Sequence, residues 1–271
     1  MTEPSGDGRT SGGLLAALGV FTVLPVPSRA RHPGAGVLGW LPAVGVLLAV
    51  LAYVPALAVW RGESQGSPLL AAALVVSGVA LLTRGLHLDG TADLADGLGS
   101  GRPAEQALAI MRRPDIGAFG VVAVACTLVL QVGALSAVLA VSSRPEGLFS
   151  VALAVSTGRL AVLYAARTGV PAASGSALGV LVAGAASAPV RWTAGAALLA
   201  AAGIGRFLIG GTAAQVAWAV AAVLGGLLAA AALSRHAVRR LGGVSGDVFG
   251  ALIEVATTVT LVVLAAEAAW R

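Results

Sequence analysis

Three aspartates stand close together in a chain that is otherwise strongly apolar. The stretch RGLHLDGTADLADGLGSGR, residues 84–102, contains Asp89, Asp93 and Asp96, a quarter of the 12 acidic residues. If this stretch is helical, the spacing i, i+4, i+7 places the three carboxylates on one face, within about 60° of one another. Carboxylates in this arrangement repel one another, and a divalent cation relieves the repulsion. The pattern therefore predicts a site for Mg²⁺, or for Mn²⁺, with aspartate oxygens as ligands.

The alternative is a solvated loop in which the aspartates simply face water beside arginines. The regular spacing, the apolar flanks and the glycines of the stretch favour the metal site, since glycine permits close approach of a phosphate or another backbone. His87 lies beside the aspartate stripe rather than on it. It is a candidate general base or phosphate contact, and a structural role is the alternative.

A second acidic pair occurs near the C-terminus, in LGGVSGDVFGALIE (residues 241–254). Asp247 and Glu254 are seven residues apart, which places them on one helix face. Glu254 lies well inside an apolar segment, where an ionisable residue is a functional candidate by default. Two alternatives are that Glu254 pairs with an arginine such as Arg159, and that Asp247 is only the N-cap of the last helix.

Two arginines that follow the aspartates in the chain have side chains that suit phosphate binding. Arg159 lies within an apolar segment, and Arg167 follows about two helical turns later. A guanidinium is planar and permanently charged, which suits the recognition of phosphate. The alternative, that the side chains snorkel to the membrane interface, fits Arg167 better than Arg159.

The composition defines what kind of protein holds these residues. Of the 271 residues, 58% are hydrophobic and only 11% are charged, far from the composition of soluble domains. The net charge of +5 comes from arginine alone, because the chain contains no lysine. The arginines stand singly or in small groups between apolar runs, which suits cytoplasmic loops and anionic headgroups rather than nucleic acid. The single cysteine, Cys126, excludes internal disulfides and a cysteine-based metal site.

The apolar runs predict an all-α polytopic membrane bundle with about seven transmembrane helices. The predicted spans are residues 36–60, 68–83, 116–141, 148–166, 177–211, 213–233 and 247–270. The fifth is interrupted by Pro189, Arg191 and Arg206, so two short spans are the alternative there. Seven spans place all the arginine-rich loops on one side, which the positive-inside rule assigns to the cytoplasm. We expect the loops around 84–115, 159–176 and 235–247 to open on that same face.

The remaining segments complete a single domain. Residues 1–13 are polar and predict a disordered N-terminal tail, and residues 14–271 a single transmembrane domain. Residues 14–27 are too few to span with ease and contain two prolines, which predicts an interfacial or re-entrant segment. Residues 107–113 predict a short amphipathic element on the membrane surface, ending before Pro114. Asp115 then opens the next span as a ligand or an N-cap.

Four segments, in their order along the chain, resemble the cobalamin synthase family. They are FTVLPVP (21–27), HLDGTADLADGLGSGR (87–102), ALAIMRRPDIGAFG (107–120) and GGVSGDVFGALIE (242–254). Members of this family are adenosylcobinamide-GDP ribazoletransferases, also called cobalamin-5′-phosphate synthases. The resemblance covers most of the chain and is looser after Arg167, where a compact Gly-Leu-Gly turn of the family is replaced by TGVPAASGSALG.

The resemblance implies a Mg²⁺-dependent enzyme of a prokaryotic cell membrane whose active site faces the cytoplasm. It implies that adenosylcobinamide-GDP is joined to α-ribazole or its 5′-phosphate, that GMP leaves, and that the transmembrane domain is the catalytic one. Contact with lipid, association with other cobalamin-pathway enzymes and oligomer formation are further expectations. Neither the preferred acceptor nor the number of metal ions follows from the sequence.

The resemblance also assigns roles to residues. The family's acidic signature falls on His87, Asp89, Asp93 and Asp96, and its C-terminal signature on Asp247 and Glu254. The expected metal ligands are Asp89, Asp93, Asp96 and Asp247. The chemistry of the reaction, rather than the signatures, gives Arg84, Arg159 and Arg167 as the expected phosphate-binding residues and His87, Asp96 and Glu254 as the candidates for the general base.

Three rival functions share parts of this pattern. A phosphotransferase of the CDP-alcohol type has a similar acidic motif, but only its opening, Asp93-Leu-Ala-Asp96-Gly97, is found here. A cation-coupled transporter predicts an internal repeat with site residues near the midplane, and neither is evident. An intramembrane aspartyl protease needs two aspartates on separate spans, such as Asp89 and Asp247, and leaves the three-aspartate stripe unexplained.

Overall fold

The chain forms a helical bundle in a computed structural model that describes residues 8–27, 35–62 and 65–270. Its helices are α1 (Gly8–Phe21), α2 (Leu41–Ala56), α3 (Pro68–Leu82), α4 (Leu86–Gly99), α5 (Ala104–Met111), α6 (Ala118–Ala140), α7 (Arg144–Ala165), α8 (Ala177–Val182), α9 (Ala188–Leu208), α10 (Ala213–Leu241) and α11 (Gly246–Ala268). A 3₁₀ helix, Ala35–Trp40, leads into α2, and two short strands, β1 (Trp60–Gly62) and β2 (Gln65–Gly66), form a small hairpin. The predicted fold class, an all-α membrane bundle, is confirmed.

Fewer helices than predicted are long and apolar enough to cross a membrane. Among the described residues there are five such segments, namely Gly36–Ala56, α6, α7, α10 and α11. A sixth is obtained only if α3 and α4, which are bent by 86°, are taken as one broken span. The predicted number of about seven is therefore too high by this criterion. The physical reasons are the 15-residue length of α3 and the arginines Arg191 and Arg206 within α9.

The helices nevertheless alternate between two ends of the bundle, which explains the prediction of seven spans. Seven helices run alternately toward one end of the described structure and toward the other, namely α2, α3, α6, α7, α9, α10 and α11. The segment 177–211 forms one long helix, α9, after the six-residue α8. It is thus one helix with an irregular start rather than two short spans.

The three loops expected to converge do so at one end, which we call the site end. The backbone N–H of Ala173 donates to the carbonyl of Val244 at 2.9 Å, and the N–H of Val244 donates to that of Pro171 at 2.9 Å. At the same end, the Arg240 guanidinium at the end of α10 donates to the carbonyl of Arg102 in the loop after α4, at 3.3 Å. These bonds join the loops that follow α4, α7 and α10, and they confirm the expected convergence.

The opposite end is held by a separate set of polar contacts. The Tyr53 hydroxyl donates to the carbonyl of Arg144 at 2.7 Å. Arg206 forms an ion pair with Glu146, with 2.8 Å between Nη2 and Oε1. Arg206 is therefore paired inside the bundle between α7 and α9, and it is not a loop residue.

The centre of the bundle consists of α7 and α11, the two most buried of the long helices. Small residues let neighbouring backbones approach closely. A Cβ atom at Gly158 of α7 would lie 2.7 Å from the carbonyl oxygen of Ile253, and one at Gly226 of α10 would lie 2.7 Å from that of Ala256. These contacts fix the position of α11, which carries the second acidic pair.

The N-terminal segment forms α1, a 14-residue helix whose end packs beside α3. The N–H of Val23 donates to the carbonyl of Leu82 at 2.8 Å. α1 begins at Gly8, within the segment expected to be a tail, and residues 1–7 lie outside the described residues. Arg29 and Arg31 also lie outside the described residues.

Candidate active site

The aspartate stretch forms α4, which is set by a sharp turn after α3. Arg84 has a φ of 56° and Gly85 a φ of 68°, so two successive residues adopt the left-handed conformation. This conformation is unfavourable for a residue with a side chain, and here it redirects the chain by 86° between the two helices. The predicted helix over the aspartates is thereby confirmed, and its direction is determined by Arg84 and Gly85.

Two glycines hold α4 directly against the first turns of α11. A Cβ atom at Gly90 would lie only 2.7 Å from the Cα of Asp247, and one at Gly250 would lie 3.1 Å from the Cα of His87. The pairs 90 with 247 and 87 with 250 show that the two helices run antiparallel. Because no side chain separates the backbones, the acidic residues of α4 and α11 come together, as the two sequence motifs suggested.

Asp89, Asp93 and Asp247 form a group that we call the acidic cluster. Asp93 is within the electrostatic range of Asp89, Asp247 and Asp96, in decreasing order of their effect. Asp89 is exposed, whereas Asp93 and Asp247 are half-buried. The cluster therefore concentrates negative charge at a place that solvent and a ligand can reach.

Asp247 is not the N-cap of the last helix. The Ser245 hydroxyl accepts from the N–H of Val248 at 3.3 Å and so caps α11 itself. The same hydroxyl donates to Oδ2 of Asp247 at 3.2 Å. Asp247 thus lies in the first turn, where the helix dipole favours a carboxylate, and its second oxygen is left for other partners.

The acidic cluster is not a preformed metal cage. Within the described ranges, no three His, Cys, Asp or Glu side chains converge closely enough to hold an ion by themselves. Mg²⁺ does not require such a cage, because it is usually bound by one or two carboxylates together with waters and substrate phosphates. The cluster has the donor chemistry for this mode of binding.

Asp96 has a different environment from the other aspartates of α4. Its Oδ2 accepts from the N–H of Gly117 at 2.7 Å, and its Oδ1 accepts from the N–H of Gly120 at 2.9 Å. These N–H groups belong to the start of α6, whose own N-cap residue, Gly117, has no side chain to offer. Asp96 therefore caps α6 from a neighbouring helix. Asp115, for which a role as N-cap was considered, is exposed instead.

A buried polar network lies deeper between the helices. Gln131 of α6 donates from Nε2 to Oε2 of Glu254 at 2.7 Å and to the hydroxyl of Thr258 at 3.0 Å. The other Glu254 oxygen, Oε1, lies 3.8 Å from Nδ1 of His87. His87 and Glu254 are thus close together, as neighbours in one network that joins α4, α6 and α11.

Arg159 lines a cavity beside this network rather than the acidic cluster. Its side chain is 3% exposed, Nη1 donates to the carbonyl of Val155 at 3.3 Å, and Nη2 has no hydrogen-bond partner among the described residues. The cavity also touches Gln131, Glu254 and the orphaned hydroxyl of Thr257. The space open to water centres is about 30 Å³, enough for one or two waters.

The other two arginines expected to bind phosphate are exposed at the site end. Arg167 donates from Nη1 to the carbonyl of Tyr164 at 3.1 Å. Arg84 takes part in the turn before α4 through its backbone. Neither side chain has a contact with the acidic cluster in the described part of the chain.

Sequence reasoning missed two residues of this region. Arg112, which the sequence placed in a surface element, exerts an attractive electrostatic effect on Asp247. Gln131 supports Glu254 from α6. A signal for Gln131 existed, since it is a lone amide in the apolar run 118–141. Arg112 lies in the family segment 107–120, but its approach to Asp247 depends on where the loops meet, which spacing along the chain does not show.

The fold and the site define a polytopic helical membrane protein with an acidic site at one end of its bundle. The family model described as cobalamin-5-phosphate synthase (CobS) matches residues 13–265. The chain belongs to this family, as its motifs suggested, and it is an enzyme of the transferase class.

Curated relatives cover nearly the whole chain, and three of them, from different organisms, share the name adenosylcobinamide-GDP ribazoletransferase. The protein of Frankia casuarinae is 39% identical over 261 residues, which is 92% of both chains. The protein of Chlorobium chlorochromatii is 36% identical over 258 residues, 92% of this chain and 95% of the relative. That of Brevibacillus brevis is 33% identical over 267 residues, 92% and 96% respectively. No solved structure matches the chain.

Proposed function

We propose that this protein is an adenosylcobinamide-GDP ribazoletransferase, acting in the assembly of the cobalamin nucleotide loop. The relatives of that name match it over 92% of its length. The structural observation that supports the proposal best is the direct contact of α4 with α11, which groups Asp89, Asp93 and Asp247. An acidic cluster of this kind suits the binding of a metal-associated pyrophosphate.

The proposed reaction displaces GMP from the pyrophosphate of adenosylcobinamide-GDP. A ribose hydroxyl oxygen of α-ribazole, or of α-ribazole 5′-phosphate, attacks the phosphorus on the cobinamide side. A new P–O bond forms, and the bond to the GMP phosphate breaks with its electron pair remaining on GMP. The hydroxyl loses its proton to a base. The products are adenosylcobalamin, or its 5′-phosphate, and GMP.

The positions of His87, Glu254 and Asp96 indicate which of them is best suited to accept the proton. The neighbouring pair of His87 and Glu254 is our candidate for accepting the proton, with Gln131 holding the Glu254 carboxylate in place. Asp96 is the weakest of the three candidates for the base, because both of its oxygens already accept backbone N–H groups.

A magnesium or manganese ion fits the acidic cluster by its donor chemistry. Asp89, Asp93 and Asp247 offer hard carboxylate oxygens that repel one another, and phosphate oxygens of the substrate would complete the coordination. Bound there, the ion would neutralise charge on the pyrophosphate as the bond to GMP breaks. We leave Asp96 out of the proposed ligand set, since capping α6 already occupies it.

The distribution of arginines supports a cytoplasmic site. The site end carries exposed arginines on several loops and on the last turns of α10, namely Arg84, Arg102, Arg112, Arg113, Arg167, Arg235 and Arg239. The opposite end has Arg61, Arg144 and the paired Arg206. By the positive-inside rule, we propose that the site end faces the cytoplasm of a prokaryotic cell. We also propose that residues 14–271 form one catalytic domain in the cell membrane.

Association with enzymes of the same pathway would let the bulky corrinoid pass from one enzyme to the next. Co-purification of such enzymes from mild detergent tests this association.

The function is tested with the purified protein in detergent or nanodiscs. Adenosylcobinamide-GDP and α-ribazole are supplied with and without Mg²⁺, and GMP release and cobalamin formation are followed. Asp89→Asn and Asp93→Asn should each lower the rate by about 100-fold or more. Asp115→Asn is the matched control, because Asp115 is an exposed aspartate outside the acidic cluster, and it should retain the rate of the unsubstituted protein.

A metal-binding measurement gives a readout that does not depend on turnover. Mg²⁺ should raise the melting temperature of the unsubstituted protein and of Asp115→Asn, but not that of Asp93→Asn, because a ligand stabilises only a protein that binds it. Folded protein that forms no product with any divalent metal would exclude the proposed activity. Lipid phosphotransfer of the CDP-alcohol type and cation transport would then be tested.

A further inference from the structure

The phosphates of the proposed substrate need a positively charged partner near the acidic cluster, and the arginines expected to supply it lie elsewhere. Arg159 is enclosed in the core, with one guanidinium nitrogen turned to its own helix. Arg167 is turned to the carbonyl of Tyr164 at the end of α7. Arg112 was not among these expected residues, although it lies within the family segment 107–120.

Arg112 is located where such a residue is required. It follows the last residue of α5 as the C-cap, and its guanidinium is exposed at the site end. Among the charged groups around Asp247, Arg112 is the one that attracts this carboxylate, while Asp89 repels it. The charge of the guanidinium therefore acts on Asp247 of the acidic cluster.

The loop before α8 holds this guanidinium in place. Nη2 of Arg112 donates to the carbonyl of Ser174. The loop passes so close that a Cβ atom at Gly175, which has a φ of 74°, would lie 2.7 Å from the same nitrogen. The N–H of Ala173 in this loop donates to Val244, the residue before the cap of α11. Arg112 is therefore connected through one short loop to the start of the helix that carries Asp247.

The guanidinium retains the capacity to bind an anion. Arginine has five N–H donors in a planar fork, and the bond to Ser174 is the one hydrogen bond that its side chain makes among the described residues. The remaining donors can form the bidentate pair that guanidinium makes with phosphate. A lysine at this position would supply the charge without the fork.

We propose that Arg112 binds a phosphate group of the pyrophosphate substrate, with the loop from Pro171 to Ser176 fixing the orientation of its guanidinium. This inference rests on the proposed function. The loop is the part of the chain where the family resemblance is loosest, and the inference gives it a specific role, which is to present Arg112 to the substrate beside Asp247.

The test compares Arg112→Ala with Arg113→Ala in the full-length protein. Arg113 is the adjacent arginine, exposed like Arg112, and it has no described side-chain bond to the loop or to Asp247. For Arg112→Ala, the KM for adenosylcobinamide-GDP should rise by about 10- to 100-fold, the loss expected for a hydrogen bond to a charged group. The KM for α-ribazole should change by less than about two-fold, and Arg113→Ala should leave both values unchanged.

Two further variants separate binding from a structural effect. Arg112→Lys keeps the charge and should recover only part of the affinity. Gly175→Ala keeps Arg112 but places a Cβ atom against its guanidinium, so it should raise the same KM. If Arg112→Ala changes the two KM values equally, or behaves like Arg113→Ala, the proposal is wrong.

A binding measurement keeps this proposal distinct from the proposed function. Stabilisation of the protein by Mg²⁺ with inorganic pyrophosphate is measured by thermal shift, and it should be weaker in Arg112→Ala than in Arg113→Ala. Protein that binds pyrophosphate through Arg112 but forms no cobalamin would refute the proposed reaction alone. Active protein in which both variants bind pyrophosphate equally would refute the role of Arg112 alone.

Discussion

Replacement of Asp96 tests whether this aspartate is structural, in contrast to Asp89 and Asp93 of the same motif, which we propose as metal ligands. In the structure its two oxygens accept the N–H groups of Gly117 and Gly120 at 2.7 and 2.9 Å, and the residue is only 9% exposed. Asp96→Ala removes both acceptors and leaves two poorly solvated donors at the start of α6. Asp96→Asn keeps one acceptor oxygen and turns an amide NH₂ toward the second donor.

The magnitude follows from what is lost. Loss of a cap costs about 0.5–2 kcal/mol, and a hydrogen bond to a charged group contributes about 1.5–3 kcal/mol. We therefore expect about 2–4 kcal/mol for Asp96→Ala and about half of that for Asp96→Asn. For a protein of this size, Asp96→Ala should lower the melting temperature by about 5–10 °C.

The assay combines thermal unfolding in detergent with activity measured well below the melting temperature. Asp96→Ala should have a lower melting temperature than the unsubstituted protein, and Mg²⁺ should still raise it. Asp93→Asn should keep the melting temperature of the unsubstituted protein without Mg²⁺, but Mg²⁺ should no longer raise it. Asp115→Ala, also at the start of α6 but exposed, should melt with the unsubstituted protein. An Asp96→Ala protein that melts normally but is inactive would refute the capping argument and assign Asp96 to the chemistry.

Two further predictions concern the contacts that assemble the site. Gly90→Val should abolish activity and lower the melting temperature, because the valine side chain would collide with the Asp247 backbone, which lies 2.7 Å from a Cβ atom at this position. The control is Gly133→Val, since a Cβ atom there meets nothing within 4 Å. Gln131→Leu should lower kcat with little change in either KM, because Glu254 loses its 2.7 Å hydrogen bond while the acidic cluster is untouched. Gln131→Glu should be at least as damaging, and a normal kcat in either variant would exclude a role for the network.

Much of the site could be predicted because local spacing determines it. The register of Asp89 and Asp93 follows from helical periodicity, and the proximity of Asp247 followed from the convergence of arginine-rich loops. The direct contact of the two helices was less accessible. It depends on Gly90 and Gly250 facing each other, and no single segment of sequence reveals which glycines meet.

The features that local spacing does not reveal depend on long-range placement. Asp96 shares the register of its neighbours, yet the start of α6 lies against it and uses both of its oxygens. Arg159 has the charge that phosphate needs, but its position on the central helix α7 encloses it. The number of helices long and apolar enough to cross a membrane is five or six rather than about seven, because α3 has only 15 residues and α9 contains Arg191 and Arg206.

The pairing of α4 with α11 also has a consequence for the biogenesis of the protein. The ribosome completes α4 early and α11 after every other described helix, so the acidic cluster cannot exist until the final helix has been inserted. Until then the carboxylates of α4 have no Asp247 beside them. Insertion of α11 therefore brings Asp247 to Asp89 and Asp93, and a chain released before that point lacks the acidic cluster.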